Sequence, residues 1–189
     1  MSGSIRFRKV FNTTFLTILS IMLCAGPVTA DANAEMEARV KAWAIECQSE
    51  IKTQFEYLVT SGKLTMAQMF DTFYIPIPNT APQKFQTQYD RLCDTVLQTI
   101  LDKYLAKDPK LLFVVAVDRN GYLPTHNSKS QDRSKRVFND RTGLAAARNT
   151  QPFLLQKYNR DTGETMYDLS VPIYVHTKHW GAVRFGYAP

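Results

Sequence analysis

The spacing of apolar and polar positions changes once along this chain, near residue 110, and separates a helical first half from a stranded second half. From Glu35 to about Thr60, Met36, Val40, Trp43, Cys47, Ile51, Phe55 and Leu58 recur at three- and four-residue steps, which places them on one stripe of a helix. Gly62 closes that helix, and Thr65 is positioned to cap a short second one through Met69 to about Phe73. Three prolines between Tyr74 and Pro82 fix φ and remove backbone donors, so this segment reads as a loop. A third helix is expected from roughly Gln83 to Leu105, with Phe85, Tyr89, Leu92, Val96, Ile100 and Tyr104 on one face.

Beyond Pro109 the pattern becomes that of strands. Leu111 to Val117 is a continuous apolar, β-branched run of the kind found in a central strand. Asp118-Arg119-Asn120-Gly121 reads as a hairpin turn of type I′, returning into a strand over Tyr122 to Thr125. Asn127 to Thr142 is polar, charged and too long for an idle connection, so it is a candidate binding lid, followed by one or two helical turns over Gly143 to Arg148. The remainder is a meander with strands over Phe153–Arg160, Glu164–Val175 and Trp180–Tyr187, separated by turns at Asp161-Thr162-Gly163 and His176-Thr177-Lys178. The expectation is one α+β domain, with a long N-terminal helix packed on a five-stranded antiparallel sheet. Residues 31–109 form its helical segment, and residues 110–189 form the sheet with its inserted lid.

Composition changes this picture at the N-terminus. Arg6, Arg8 and Lys9, the apolar run Phe15 to Ala25 and the small residues up to Ala30 have the order of an export signal, cleaved before Asp31. The apolar run falls short of the roughly 20 residues of a membrane span; an uncleaved anchor is the alternative. No second hydrophobic segment follows, and the expected product is periplasmic or secreted. The full chain carries 23 basic and 17 acidic residues. Loss of the three leader cations leaves 20 against 17, a net charge of +3 with no basic run, which argues against nucleic acid. Cys47 and Cys93 remain, either as a disulfide between two helices or as two buried thiols, and their spacing is not that of a zinc or c-type haem site.

Candidate chemistry concentrates on the strand from Glu164 to Val175. One face carries Tyr167, Leu169, Val171, Ile173 and Val175; the other carries Met166, Asp168, Ser170, Pro172 and Tyr174. A mixed face without lysine or glutamate suggests the lining of a polar cavity. Asp168 would hold a ligand ammonium or hydroxyl, or else pair with a lid arginine. The lid supplies Arg133, Lys135, Arg136 and Arg141, and guanidinium groups suit bidentate capture of a carboxylate. Tyr122, Tyr158 and Tyr174 offer stacking surfaces with a polar tip, and His126 stands at the mouth of the expected pocket. His176 falls in a turn and His179 at a strand start. The candidate ligand set is therefore Tyr122, His126, Arg136, Arg141, Tyr158, Asp168, Ser170 and Tyr174, with no catalytic residue, metal or cofactor expected. The motifs of serine hydrolases, zinc proteases and phosphate-binding loops do not occur, and Asp161-Thr162-Gly163 reads as a β-turn.

These residues also carry a resemblance. Asp118-Arg119-Asn120-Gly121-Tyr122-Leu123-Pro124-Thr125-His126-Asn127 resembles the hairpin of periplasmic sensor domains in methyl-accepting chemotaxis proteins, the single-Cache (PAS-like) family. Arg136-Val137-Phe138-Asn139-Asp140-Arg141-Thr142-Gly143 resembles a second segment of that family. Its closing meander is resembled by Tyr158 to Gly163, Asp168 to Ile173 and His179 to Arg184, and its loop before the third helix by Tyr74-Ile75-Pro76-Ile77-Pro78. The resemblance spans about Phe70 to Tyr187. It implies a Cache sensor fold recognising a small extracellular solute (an organic acid, amine or amino acid) in a pocket between sheet and lid. Chemoreceptors continue into a second membrane helix and a cytoplasmic signalling region, which are expected to be missing here, so a separate membrane receptor becomes a candidate partner. Two other readings stand beside this one: an interaction protein that pairs through its N-terminal helix, with itself as a homodimer or with a receptor, and a haem-binding sensor.

Overall fold

The computed structural model describes residues 28–159 and 163–189, with side chains described from residue 32 onward. The expected leader, its cleavage site at Ala30 and most of the Asp161-Thr162-Gly163 turn lie outside these residues. Helix α1 runs Val28–Thr60 and begins seven residues before Glu35. Its expected stripe is the one that is buried: Met36, Val40, Cys47, Ile51, Phe55 and Leu58 all enter the main core, with Ala44 among them and Trp43 packed at the edge. No described helix is long and apolar enough to cross a membrane. Thr65 caps α2 (Met66–Met69) as expected, its hydroxyl accepting from the backbone of Gln68 while the Gln68 side chain accepts from the backbone of Thr65.

The proline-rich segment is more ordered than its composition suggests. Strand β1 (Ile75–Ile77) pairs with β2 (Lys84–Gln86) in a short ribbon, so the expected loop and the first turns of the expected third helix are both corrected. A two-stranded ribbon tolerates Pro76 because the position needs no second ladder partner. Thr80 closes the ribbon, donating to the Ile77 carbonyl and accepting from the Lys84 amide. Helix α3 runs Asp90–Leu105, started where the Asp90 carboxylate accepts from the backbone and hydroxyl of Thr87.

Helices α1 and α3 are antiparallel, joined by Glu50–Lys103 at 2.5 Å and Glu46–Lys107 at 3.3 Å. Cys47 is therefore level with the C-terminal end of α3. Cys93 stands ten residues before Lys103, about 15 Å away along the axis at the usual helical rise. A disulfide needs Cα atoms within about 7 Å, and the bridged alternative is not the one realised. Both cysteines are free, and burial pushes both thiols well above their ordinary pKa.

The main sheet has four strands rather than five, in the order β3 (Leu111–Asp118), β8 (Lys178–Tyr187), β7 (Thr165–Val175), β6 (Leu154–Asn159), with the three neighbouring pairs antiparallel. Pro172 sits in β7 beyond the end of β6, where no ladder donor is required. The expected fifth strand leaves the sheet. β4 (Tyr122–Leu123) pairs instead with β5 (Arg136–Val137), inside the lid. The turn before it is also not type I′. Gly121 bonds back to the Asp118 carbonyl at 2.9 Å, and Gly121 has φ +81°, whereas Asn120 is not in the left-handed region. Asp118 organises this turn by accepting from the amides of Asn120 and Tyr122.

One sheet face carries Val114, Ala116, Leu169, Val171, Ile173, Val183 and Phe185 and packs on α1 and α3. The other carries Val115, Val117 and Phe113, and meets Leu123, Phe138 and Ala147 in a smaller cluster. Helix α4 (Arg141–Ala147), capped by Asp140, lies on this second face. The segment 123–142, with a 3₁₀ turn over Ser128–Arg133, closes over it.

Candidate functional site

A cavity of about 610 Å³ lies between the second sheet face and the 123–142 segment. Its floor is Phe113, Val115 and Val117 of β3, Met166 of β7 and Arg184 of β8, with Tyr158 and Asn159 of β6 at one side. Its roof is Leu123, His126, Ser130, Arg133, Phe138, Asp140 and Thr142. Strand alternation puts Val115 and Val117 beside Arg184, because Arg184 pairs with Val115 in the β3–β8 register and with Ser170 in the β7–β8 register. Gly186 completes the floor, since a Cβ there would overlap the Phe113 ring and the Met166 methyl group.

The roof is held in place by close backbone packing. Phe138 donates its amide to the Gly121 carbonyl at 2.8 Å, and its own carbonyl lies against both Gly121 and Gly143, where neither position has room for a Cβ. The lid also rests on α3. Lys135, at φ +66°, reaches Asp94 at 2.5 Å and Asp90 at 3.4 Å, and the Ser128 amide donates to Asp102 at 2.7 Å. Burial pushes the Asp94 carboxyl up, with Lys135 opposing it.

Two of the eight expected ligand residues, His126 and Tyr158, line the cavity. His126 is only 5% exposed, and among the described residues its Nδ1 has no hydrogen-bond partner. Burial lowers its pKa, opposed by hydrogen bonding with Asn127, and the charge of Arg133 lowers it further. The Tyr158 hydroxyl donates to the Met166 sulfur at 3.4 Å.

The other six are placed differently. Asp168 is fully buried beneath the cavity wall, paired through both carboxylate oxygens with Arg184. Its partner is thus a neighbouring strand's arginine and not one from the lid. Burial pushes the Asp168 carboxyl up against the pull of Arg184. Burial also opposes the Arg184 charge, but the Asp168 carboxylate outweighs it, and the guanidinium stays protonated. Ser170 is buried beside this pair, its hydroxyl 3.5 Å from the Leu154 carbonyl. Tyr122 points into the main core, donating to Asp90 at 2.7 Å and packed against Tyr74. Tyr174 packs on His179 at the far end of the sheet. Arg136 stacks on Phe138 outside the lining, and Arg141 is exposed at the start of α4.

Arg184 is the polar wall residue that strand reading missed. The segment Trp180–Tyr187 could have drawn attention to it, since Arg184 is the one charged residue there. Arg133 and Asp140 also line the cavity; the first stacks on Phe138 and the second caps α4. Among the described residues no group of three metal-ligating side chains is assembled, and His126, His176 and His179 stand in three separate surroundings.

No protein-family model and no curated protein matches the chain. Among solved structures it is similar to an extracellular ligand binding receptor from Desulfohalobium retbaense, with a TM-score of 0.42 and 14% identity over 78% of this chain. The chain spans 24% of that receptor's length.

Proposed function

We propose that this chain is an exported ligand-sensing module of single-Cache type that holds a small organic solute between its sheet and its lid. The observation that carries this reading is the cavity itself. Its volume lies in the range of small-molecule sites, roughly 300–1,000 Å³, and it joins an apolar floor to a few convergent polar groups. The two segments that resemble chemoreceptor sensor domains support it further, because Gly121, Phe138 and Gly143 from those segments interlock to build the roof. On this reading the module works in the periplasm after loss of its leader. It presents its bound solute (an organic acid, amine or amino acid) to a membrane receptor that feeds chemotaxis or another signalling pathway, and it is not an enzyme.

The test is thermal unfolding of the purified full chain against a library of amino acids, organic acids, amines and purines. A solute at about 100 times its dissociation constant adds roughly 2.7 kcal/mol, which raises the midpoint by about 5–10 °C for a chain of this size. Ser130→Trp, which fills the cavity from the roof and leaves every sheet residue unchanged, should abolish that shift. A flat response from the folded protein overturns the reading.

A second reading, pairing through α1, is favoured by Ile45 and Tyr57, which stand 48% and 53% exposed on that helix. Light scattering tests it: a dimer that dissociates on Ile45→Glu would support pairing, and a monomeric parent would end it.

A further inference from the structure

The charges around the cavity do not cancel one another in pairs. Four of its wall residues are cationic, anionic or imidazole groups: His126, Arg133, Asp140 and Arg184. Arg184 is matched by Asp168, and the His126 ring is buried. That leaves one cation and one anion. Arg133 stacks on Phe138 at 5.3 Å, and among the described residues no carboxylate lies within ion-pair distance of it. Asp140 uses Oδ1 to accept from the Gly143 amide at 2.9 Å, while among the described residues its Oδ2 has no hydrogen-bond donor and no ion pair, its charge acting on Arg184 only at longer range. The two opposite charges share one cavity and do not bridge to each other.

We propose that the solute is amphoteric, carrying a carboxylate for Arg133 and an ammonium for Asp140 on one bulky apolar body that lies over Phe113, Val115 and Val117. This deepens the binding-module reading and rests on it. A plain organic acid that meets Arg133 brings a like charge towards Asp140, and a plain amine does the same towards Arg133. In a partly enclosed site such like-charge approaches weaken binding, whereas opposite charges add charge-assisted hydrogen bonds. The apolar floor and the rings of Phe113 and Phe138 favour an aromatic or similarly bulky body.

The test compares three solutes with one ring and different charges, phenylalanine, 3-phenylpropanoate and 2-phenylethylamine, by isothermal titration of the full chain. Phenylalanine should bind at least tenfold more tightly than either of the others. Asp140→Asn keeps the helix cap, since Asn caps as well as Asp. It should weaken phenylalanine and 2-phenylethylamine while leaving 3-phenylpropanoate unchanged or tighter. Arg133→Gln should do the reverse, weakening the two carboxylates and sparing the amine. Equal or tighter binding of either singly charged compound overturns the proposal, as does an Asp140→Asn variant that binds phenylalanine unchanged. If none of the three binds while other library solutes do, the amphoteric inference fails and the binding reading stands. If no solute binds at all, both fail.

Discussion

Asp168 and Arg184 meet diagonally across β7 and β8, with the carboxylate fully buried and the guanidinium reaching it through both Nε and Nη2. Asp168 pairs in register with Gly186, and Arg184 with Ser170, so the two side chains cross a single step of the ladder on the cavity side. The pair neutralises what would otherwise be an isolated charge beneath the floor of the site.

Removing one partner should therefore unfold more than it unbinds. Arg184→Met or Asp168→Ala leaves a buried, uncompensated charge, and each is expected to cost about 3–5 kcal/mol in urea denaturation. The double variant Asp168→Leu with Arg184→Met should recover most of that loss, because it removes both charges together. Additive losses in the double variant would show that the pair is not the source of the effect.

Stability should fall on mild acidification. His126 has its pKa lowered, first by burial, from an ordinary value of 6.5, and His179 is shifted in the same direction by burial. Just below pH 6.5 the unfolded chain then binds more protons than the folded one, so stability rises with pH there and is lost as pH falls towards the folded values. The carboxyls of Asp94, Asp118 and Asp168, raised by burial above 3.8, act in the opposite sense at lower pH. The comparison that isolates His126 is the melting temperature of wild type and His126→Gln between pH 7.5 and 5.5. The variant should show the shallower decline; parallel curves would remove His126 from the account.

The lid should depend on a single glycine in its supporting turn. At Gly121 a side chain meets two obstacles: φ is +81°, and a Cβ would overlap the Phe138 carbonyl oxygen. The left-handed conformation alone costs an L-residue roughly 1–2 kcal/mol, so Gly121→Ala should lose about 2 kcal/mol or more. Hydrogen exchange should rise first across residues 123–142, while α1 stays protected. A uniform increase over the whole chain would mean that the turn supports the domain and not the roof in particular.

The local periods of the chain were sufficient to identify most of its elements. The α1 stripe from Met36 to Leu58, the Thr65 cap, the three strands of the meander and the two faces of β7 follow from spacing alone, since each reflects contacts within a few residues. Where periodicity was broken by prolines, as in the β1–β2 ribbon, or where a strand was two residues long, as in β4, local spacing had too little to work with. The site depended more on tertiary structure. Parity assigned Asp168 to the cavity side, but which arginine meets it depends on the β7–β8 register. Tyr122 carries the same chemistry as Tyr158, yet it points at Asp90 because β4 departs from the sheet to pair with β5. Sequence determines which face a side chain leaves from, through repeats of two and 3.6 residues. Only the packing of distant segments decides what stands opposite, because that choice is made by burial and pairing energies between residues far apart in the chain.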